Sequence, residues 1–139
     1  ELDYVLNNVE DLVVVLRFGR DNDIGCMQLD DILSKTSPEL THMATIWLVD
    51  VDIECLQEYI SFFDITMIPS TLFFYNSQHI KCDFGTQDHT KWIGPFYTKQ
   101  DFIDLIEVIY RGAIHGKFIV ESPISSSHTP KYTMLYKDI

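Results

Sequence analysis

Three cysteines, Cys26, Cys55 and Cys82, have the widest chemical reach of any side chains in this 139-residue chain. Thiol–disulfide exchange needs a thiolate at a helix N-terminus, where the helix field lowers its pKa, and a second thiol one turn further in to resolve the mixed disulfide. In Asp23-Ile-Gly-Cys26, which heads a helical pattern, the outer of those positions is an aspartate. A carboxylate cannot attack a disulfide. It can accept hydrogen bonds from the unpaired N–H groups of a first turn, so Asp23 is expected as an N-cap or first-turn residue and Cys26 as a small, buried apolar side chain. A single-thiol redox or redox-sensing role for Cys26 is the alternative.

His42, His79, His89, His115 and His128 show none of the paired spacings of zinc ligands, and His79 and Cys82, three apart on an expected strand, point to opposite faces. Asp21, Asp23, Asp30 and Asp31 lack the alternating ligands and closing glutamate of a calcium loop. Neither a Gly-x-Ser-x-Gly elbow nor a phosphate-cradling glycine loop occurs. No metal and no cofactor are therefore expected. Ten basic residues against 21 acidic ones leave a net charge of −11, which argues against gripping phosphate backbones and predicts protein partners rather than nucleic acid. An odd number of widely spaced cysteines without an Asn-X-Ser/Thr acceptor argues against a secreted disulfide scaffold and for a reducing compartment, cytosol or nucleus. No apolar stretch approaches the roughly 20 residues of a membrane-spanning helix, so no membrane association is expected. The chain opens at Glu1 without a methionine or a signal-like segment and reads as trimmed.

These residues need a frame, and a composition 46% hydrophobic and 22% charged suits one domain with its own core. Leu12-Val-Val-Val-Leu-Arg-Phe18 reads as a buried strand. Met27, Leu29, Ile32 and Leu33 give a helix ending before Ser37-Pro38. Thr45-Ile-Trp-Leu-Val49 predicts a second buried strand, and Leu56, Tyr59, Ile60 and Phe63 predict a helix over 53–63. Strand, helix, strand, helix calls for a parallel crossover unit. The segments 70–75 and 79–84, joined by Asn76-Ser-Gln78, predict an antiparallel hairpin. Thr98-Lys-Gln-Asp101 caps the longest helix, with Phe102, Leu105, Ile106 and Ile109 as its stripe and Gly112 as its stop. Residues 113–139 read as an irregular extension with at most a short strand at 118–120.

This order is the thioredoxin arrangement, although pattern alone leaves other α/β layouts open. Cys26 falls where thioredoxins carry their Cys-Gly-Pro-Cys site, and Ile68-Pro-Ser-Thr71 resembles the stretch carrying the thioredoxin cis-proline, so Pro69 is expected to be cis. The expected fold class is α/β and thioredoxin-like: a central mixed sheet flanked by helices, with a C-terminal extension.

Leu16-Arg-Phe-Gly-Arg-Asp21, Asp23, Cys26, Leu48-Val-Asp-Val-Asp52, Phe63-Asp-Ile65, Ile68-Pro-Ser-Thr71, Gln100-Asp-Phe-Ile-Asp-Leu-Ile-Glu-Val-Ile-Tyr-Arg-Gly112 and Pro130-Lys-Tyr-Thr-Met-Leu-Tyr-Lys-Asp-Ile139 together resemble the Dim-type thioredoxin-like proteins of the spliceosome. The resemblance spans essentially the whole chain and is nearer to a branch with this C-terminal finish than to the 15-kDa component of the tri-snRNP. It implies a nuclear protein of pre-mRNA splicing, linked to cell-cycle progression, that binds splicing-factor proteins and has lost thioredoxin catalysis. The other branch has a cysteine directly after the equivalent proline; here that residue is Ser70, so a disulfide between those positions is excluded. Residues 1–112 are expected to form the thioredoxin-like domain and 113–139 an extension packing on it. Relative to a bare thioredoxin, the loop 86–97 and the tail are extra, which makes Trp92, Ile93, Phe96, Tyr97, Tyr132 and Tyr136 candidate partner contacts. The competing reading is that the loop aromatics cover the last helix. A homodimer stays open.

Overall fold

A computed structural model describes residues 2–130. Its elements run α1 (Leu2–Asn8), β1 (Val13–Gly19), α2 (Ile24–Thr36), β2 (Ala44–Asp50), α3 (Gln57–Phe62), β3 (Ser70–Tyr75), β4 (Gln78–Asp83), β5 (Trp92–Ile93), α4 (Lys99–Ile114) and β6 (Ile119–Glu121). The β-branched run of β1 is buried along its whole length, because it lies inside the sheet order β2-β1-β3-β4-β6. It pairs in parallel with β2 across the α2 crossover and antiparallel with β3. The β3–β4 hairpin turns through Asn76 and Ser77, at φ 47° and 73°, the left-handed pair that matches the twist of the flanking strands. β4 and β6 are parallel, with Cys82 opposite Val120.

Strand alternation divides the interior into two cores. Val13 and Val15 join Leu29 and Leu33 of α2 and Phe102, Leu105, Ile106 and Ile109 of α4 on one face. Val14, Leu16 and Phe18 join Leu2 and Val5 of α1, with Leu56, Tyr59, Ile60 and Phe63 packed around them, on the other. The sheet is thus covered on both sides, and the loops at the end of β1 are held between rigid layers.

Several elements depart from expectation for local reasons. The helix α1 has no counterpart in the sequence reading; seven residues are too few to hold a helix alone, and it exists by burying Leu2 and Val5. The helix expected over 53–63 is a 3₁₀ turn, Glu54–Leu56, followed by α3. β2 is an outer strand and not a buried one, with Trp47 and Leu48 exposed. In α2 the buried stripe is Cys26, Leu29, Leu33 and Thr36, and Met27 faces solvent. α4 continues past Gly112 to Ile114. The stop is Gly116, at φ +80°, with its N–H donating to the Ala113 carbonyl at 3.0 Å and that of Lys117 to Gly112 at 2.8 Å, a Schellman ending. Gly112 serves packing instead: a Cβ there would stand 2.7 Å from Cγ1 of Val120.

Candidate functional site

The positions expected to correspond to a thioredoxin site, Asp23, Cys26 and Pro69, stand where β1 ends and α2 begins. Asp23 has extended backbone (φ −85°, ψ 133°) and is the N-cap of α2, its Oδ2 accepting from the Cys26 N–H at 2.9 Å. That hydrogen bond, on the positive end of the helix, holds the Asp23 carboxyl below the usual carboxylate value. The Asp23 side chain is therefore committed to closing the first turn.

Cys26 is fully buried, and its Sγ accepts from the Arg20 N–H at 3.4 Å. Burial pushes the thiol pKa up, and the neighbouring Asp23 carboxylate adds to the rise. A reactive cysteine needs the opposite environment, exposed and electropositive. Gly19 makes room for this sulfur, since a Cβ at that position would collide with Sγ. Gly25 does the same for Pro69, whose Cδ would lie 3.2 Å from a Cβ there. The Ile68–Pro69 bond is cis, and the Pro69 carbonyl accepts from the Gly94 N–H at 2.8 Å. Ser70 is buried, and its hydroxyl donates to the Met67 carbonyl at 2.5 Å. The position that follows the proline thus offers neither sulfur nor a free hydroxyl.

Arg17 belongs to this site and escaped the sequence reading. It lies on β1 with 1% of its surface exposed. Its Nε and Nη2 grip both oxygens of Asp30 on α2, at 2.9 and 2.7 Å, and Nη2 also reaches Asp21 at 3.2 Å. A bidentate carboxylate is the geometry that makes a buried guanidinium tolerable. The one available signal was a cation inside an apolar strand run; nothing in the spacing named Asp30 as its partner.

The expected partner contacts separate. Trp92, Ile93 and Phe96 are at most 9% exposed, which corrects their assignment as surface anchors. The Trp92 ring stacks on Phe96, with centroids 4.7 Å apart, and meets Phe84 edge-on. Large aromatics in a loop of this size bury more area against α4 and β4 than the loop would gain by presenting them to water. The loop is further pinned by Lys91, which pairs with Asp88 in the interior and donates to the Phe63 carbonyl at 2.8 Å. Tyr97 is exposed, beside the His128 ring, whose Nδ1 lies 2.8 Å from Oδ2 of Asp101. Tyr132 and Tyr136 lie outside the described residues. His79 packs against Phe63 and Phe74 on one face of the sheet, and Cys82 belongs to the core on the other, its thiol pushed up to about 12 by burial. Among the described residues no three of His, Cys, Asp or Glu gather in a way that would hold a metal ion.

The architecture matches solved thioredoxins. That of Fasciola hepatica superposes with a TM-score of 0.58 at 15% identity, covering 76% of this chain and 88% of that one. The oxidised thioredoxin of Plasmodium falciparum gives 0.56 at 21% identity, covering 76% and 86%. At these identities the likeness establishes the fold alone. Full-length sequence relatives are nearer. Thioredoxin-like protein 4B of Homo sapiens is 60% identical over 100% of this chain and 92% of its own length. Mitosis protein dim1 of Schizosaccharomyces pombe is 36% identical over 94% and 91%, and spliceosomal protein DIB1 of Saccharomyces cerevisiae 37% over 84% and 80%. The sequence model of the family described as mitosis protein DIM1 matches residues 1–126. A thioredoxin fold together with sequence matches along nearly its whole length places this chain in the DIM1 family.

Proposed function

We propose that this protein is a non-catalytic thioredoxin-fold scaffold that binds splicing-factor proteins in the nucleus, acting in pre-mRNA splicing and through it in cell-cycle progression. The observation that carries the proposal is the use made of Asp23: the residue at the attacking position caps α2, and the one sulfur retained at the site, Cys26, is buried with a raised pKa. Exchange chemistry has no nucleophile here, while the layers that position the site are intact. Names such as spliceosomal protein DIB1 and mitosis protein dim1 among the relatives support assigning the retained framework to assembly. The contacts we assign to partners are exposed Tyr97 together with Tyr132 and Tyr136 of the tail; the degenerate site, Asp23, Cys26 and Pro69, holds the local fold.

The test is affinity capture from nuclear extract with the wild-type chain and with Cys26→Ala. Both are expected to retain the same set of splicing proteins. Loss of that set in a Cys26→Ala chain that circular dichroism shows folded as wild type, or no splicing protein with either chain, overturns the proposal.

A further inference from the structure

Three of the five prolines follow a serine or threonine, in Ser37-Pro38, Ser122-Pro123 and Thr129-Pro130. A hydroxyl directly before proline is the mark read by proline-directed protein kinases, which take the two residues in an extended chain with the hydroxyl turned toward the nucleotide. The three places differ in how nearly they meet that condition. Ser37 is helical, at φ −51° and ψ −44°, where α2 closes onto a 3₁₀ turn that anchors buried Leu40. Ser122 follows β6 directly and is tied at two groups, its N–H donating to the Asp83 carbonyl at 2.9 Å and its Oγ accepting from the Ile124 N–H at 3.1 Å. Thr129 is extended, at φ −93° and ψ 130°, the conformation that a following proline favours. It is half-buried and comes soon after three exposed serines, Ser125, Ser126 and Ser127.

The Thr129 hydroxyl closes a local turn: Oγ1 donates to the Ser125 carbonyl at 3.0 Å, and the His128 N–H donates to the same carbonyl at 2.9 Å. Through that turn His128 is set against α4, with Nδ1 2.8 Å from Oδ2 of Asp101 and its ring 4.3 Å from the ring of exposed Tyr97.

We propose that Thr129 is a phosphorylation site for a proline-directed kinase, and that its phosphorylation opens this turn and parts His128 from Tyr97. In the transfer, Oγ1 attacks the γ-phosphorus of ATP, the bond from that phosphorus to the diphosphate oxygen breaks with release of ADP, and the hydroxyl proton passes to a carboxylate of the kinase. The ester oxygen has no hydrogen left to donate to the Ser125 carbonyl. The new group carries a charge of roughly −1.5 to −2 near neutral pH. It is attached one residue from His128, whose partner is the Asp101 carboxylate, and like charge so placed opposes the closed arrangement. The inference goes beyond the scaffold reading and does not depend on it.

The probe is the full chain incubated with a purified cyclin-dependent kinase and ATP, with phosphate located and timed by mass spectrometry. Thr129 is expected to take phosphate at least tenfold faster than Ser37 or Ser122. Pro130→Ala, with a circular dichroism spectrum equal to that of wild type, is expected to slow the reaction at Thr129 at least tenfold. Nuclear Overhauser contacts between the Tyr97 and His128 rings are expected in the unmodified chain and lost in the phosphorylated one, while those between the buried Phe96 and Phe102 rings, 5.0 Å apart, persist. No phosphate at Thr129, which means that the folded chain withholds it from the kinase, overturns the inference. So does an equal rate at Ser37 or Ser122, a folded Pro130→Ala chain phosphorylated at the wild-type rate, or a Tyr97–His128 contact that survives phosphorylation.

Discussion

At Asp23 a carboxylate oxygen is engaged with the Cys26 N–H at the start of α2, and on the proposed reading it stands where a thiolate would attack. Capping is a local function that any short polar acceptor of the right shape can perform, which yields a graded expectation. Asp23→Asn keeps an acceptor and is expected to leave the melting temperature nearly unchanged, whereas Asp23→Ala removes it and is expected to lower the melting temperature by a few degrees, measured by circular dichroism at neutral pH. Equal melting of the two variants contradicts the capping role. The sequence disclosed this much because an N-cap is read from its own few residues. Arg17 shows the limit: its partner Asp30 lies on another element, 13 positions away, and only the fold brings the guanidinium and carboxylate together. Trp92 and Phe96 show a second limit. Loop aromatics serve as interface anchors or as core, and the choice depends on whether Phe84 and Phe102 stand close enough to receive them.

At the scale of elements, the inserted loop is held to the body by the Asp88–Lys91 pair, with Asp88 6% and Lys91 3% exposed. Burial alone pushes the Asp88 pKa up; hydrogen bonds from Lys91 and Thr90 outweigh it and leave the carboxyl below its usual 3.8. A carboxyl whose folded pKa is depressed contributes stability that is present above the unfolded value and lost as pH falls through the folded one. Asp88→Asn leaves the Lys91 charge buried without its counter-ion, at a cost of about 3 kcal/mol. Urea denaturation at pH 7 is expected to show that loss, and the gap between wild type and variant is expected to narrow as pH falls below 3.8. A gap that does not change with pH contradicts the assigned ion pair. Elements with long internal signals, β1, α2, α4 and the β3–β4 hairpin, were legible because period and turn chemistry lie within them. The helix α1 was not legible, because its stability comes from Leu2 and Val5 meeting the sheet. The end of α4 was misplaced at Gly112 because a glycine kept for close packing looks the same in sequence as one kept for a left-handed turn, the role Gly116 fills.

Across the described residues, two cores clamp a sheet at whose end stand a capped helix, a buried sulfur and the buried Arg17 guanidinium paired with Asp30. The net charge of −11 disfavours contact with phosphate backbones. The proposed scaffold role requires that the intact chain carry out no thiol–disulfide exchange. Its most direct test is the rate of insulin disulfide reduction by the purified protein in dithiothreitol, alongside a thioredoxin with two active-site cysteines. The predicted result is a rate equal to that of dithiothreitol alone; turnover above that background, abolished by Cys26→Ala, would contradict it.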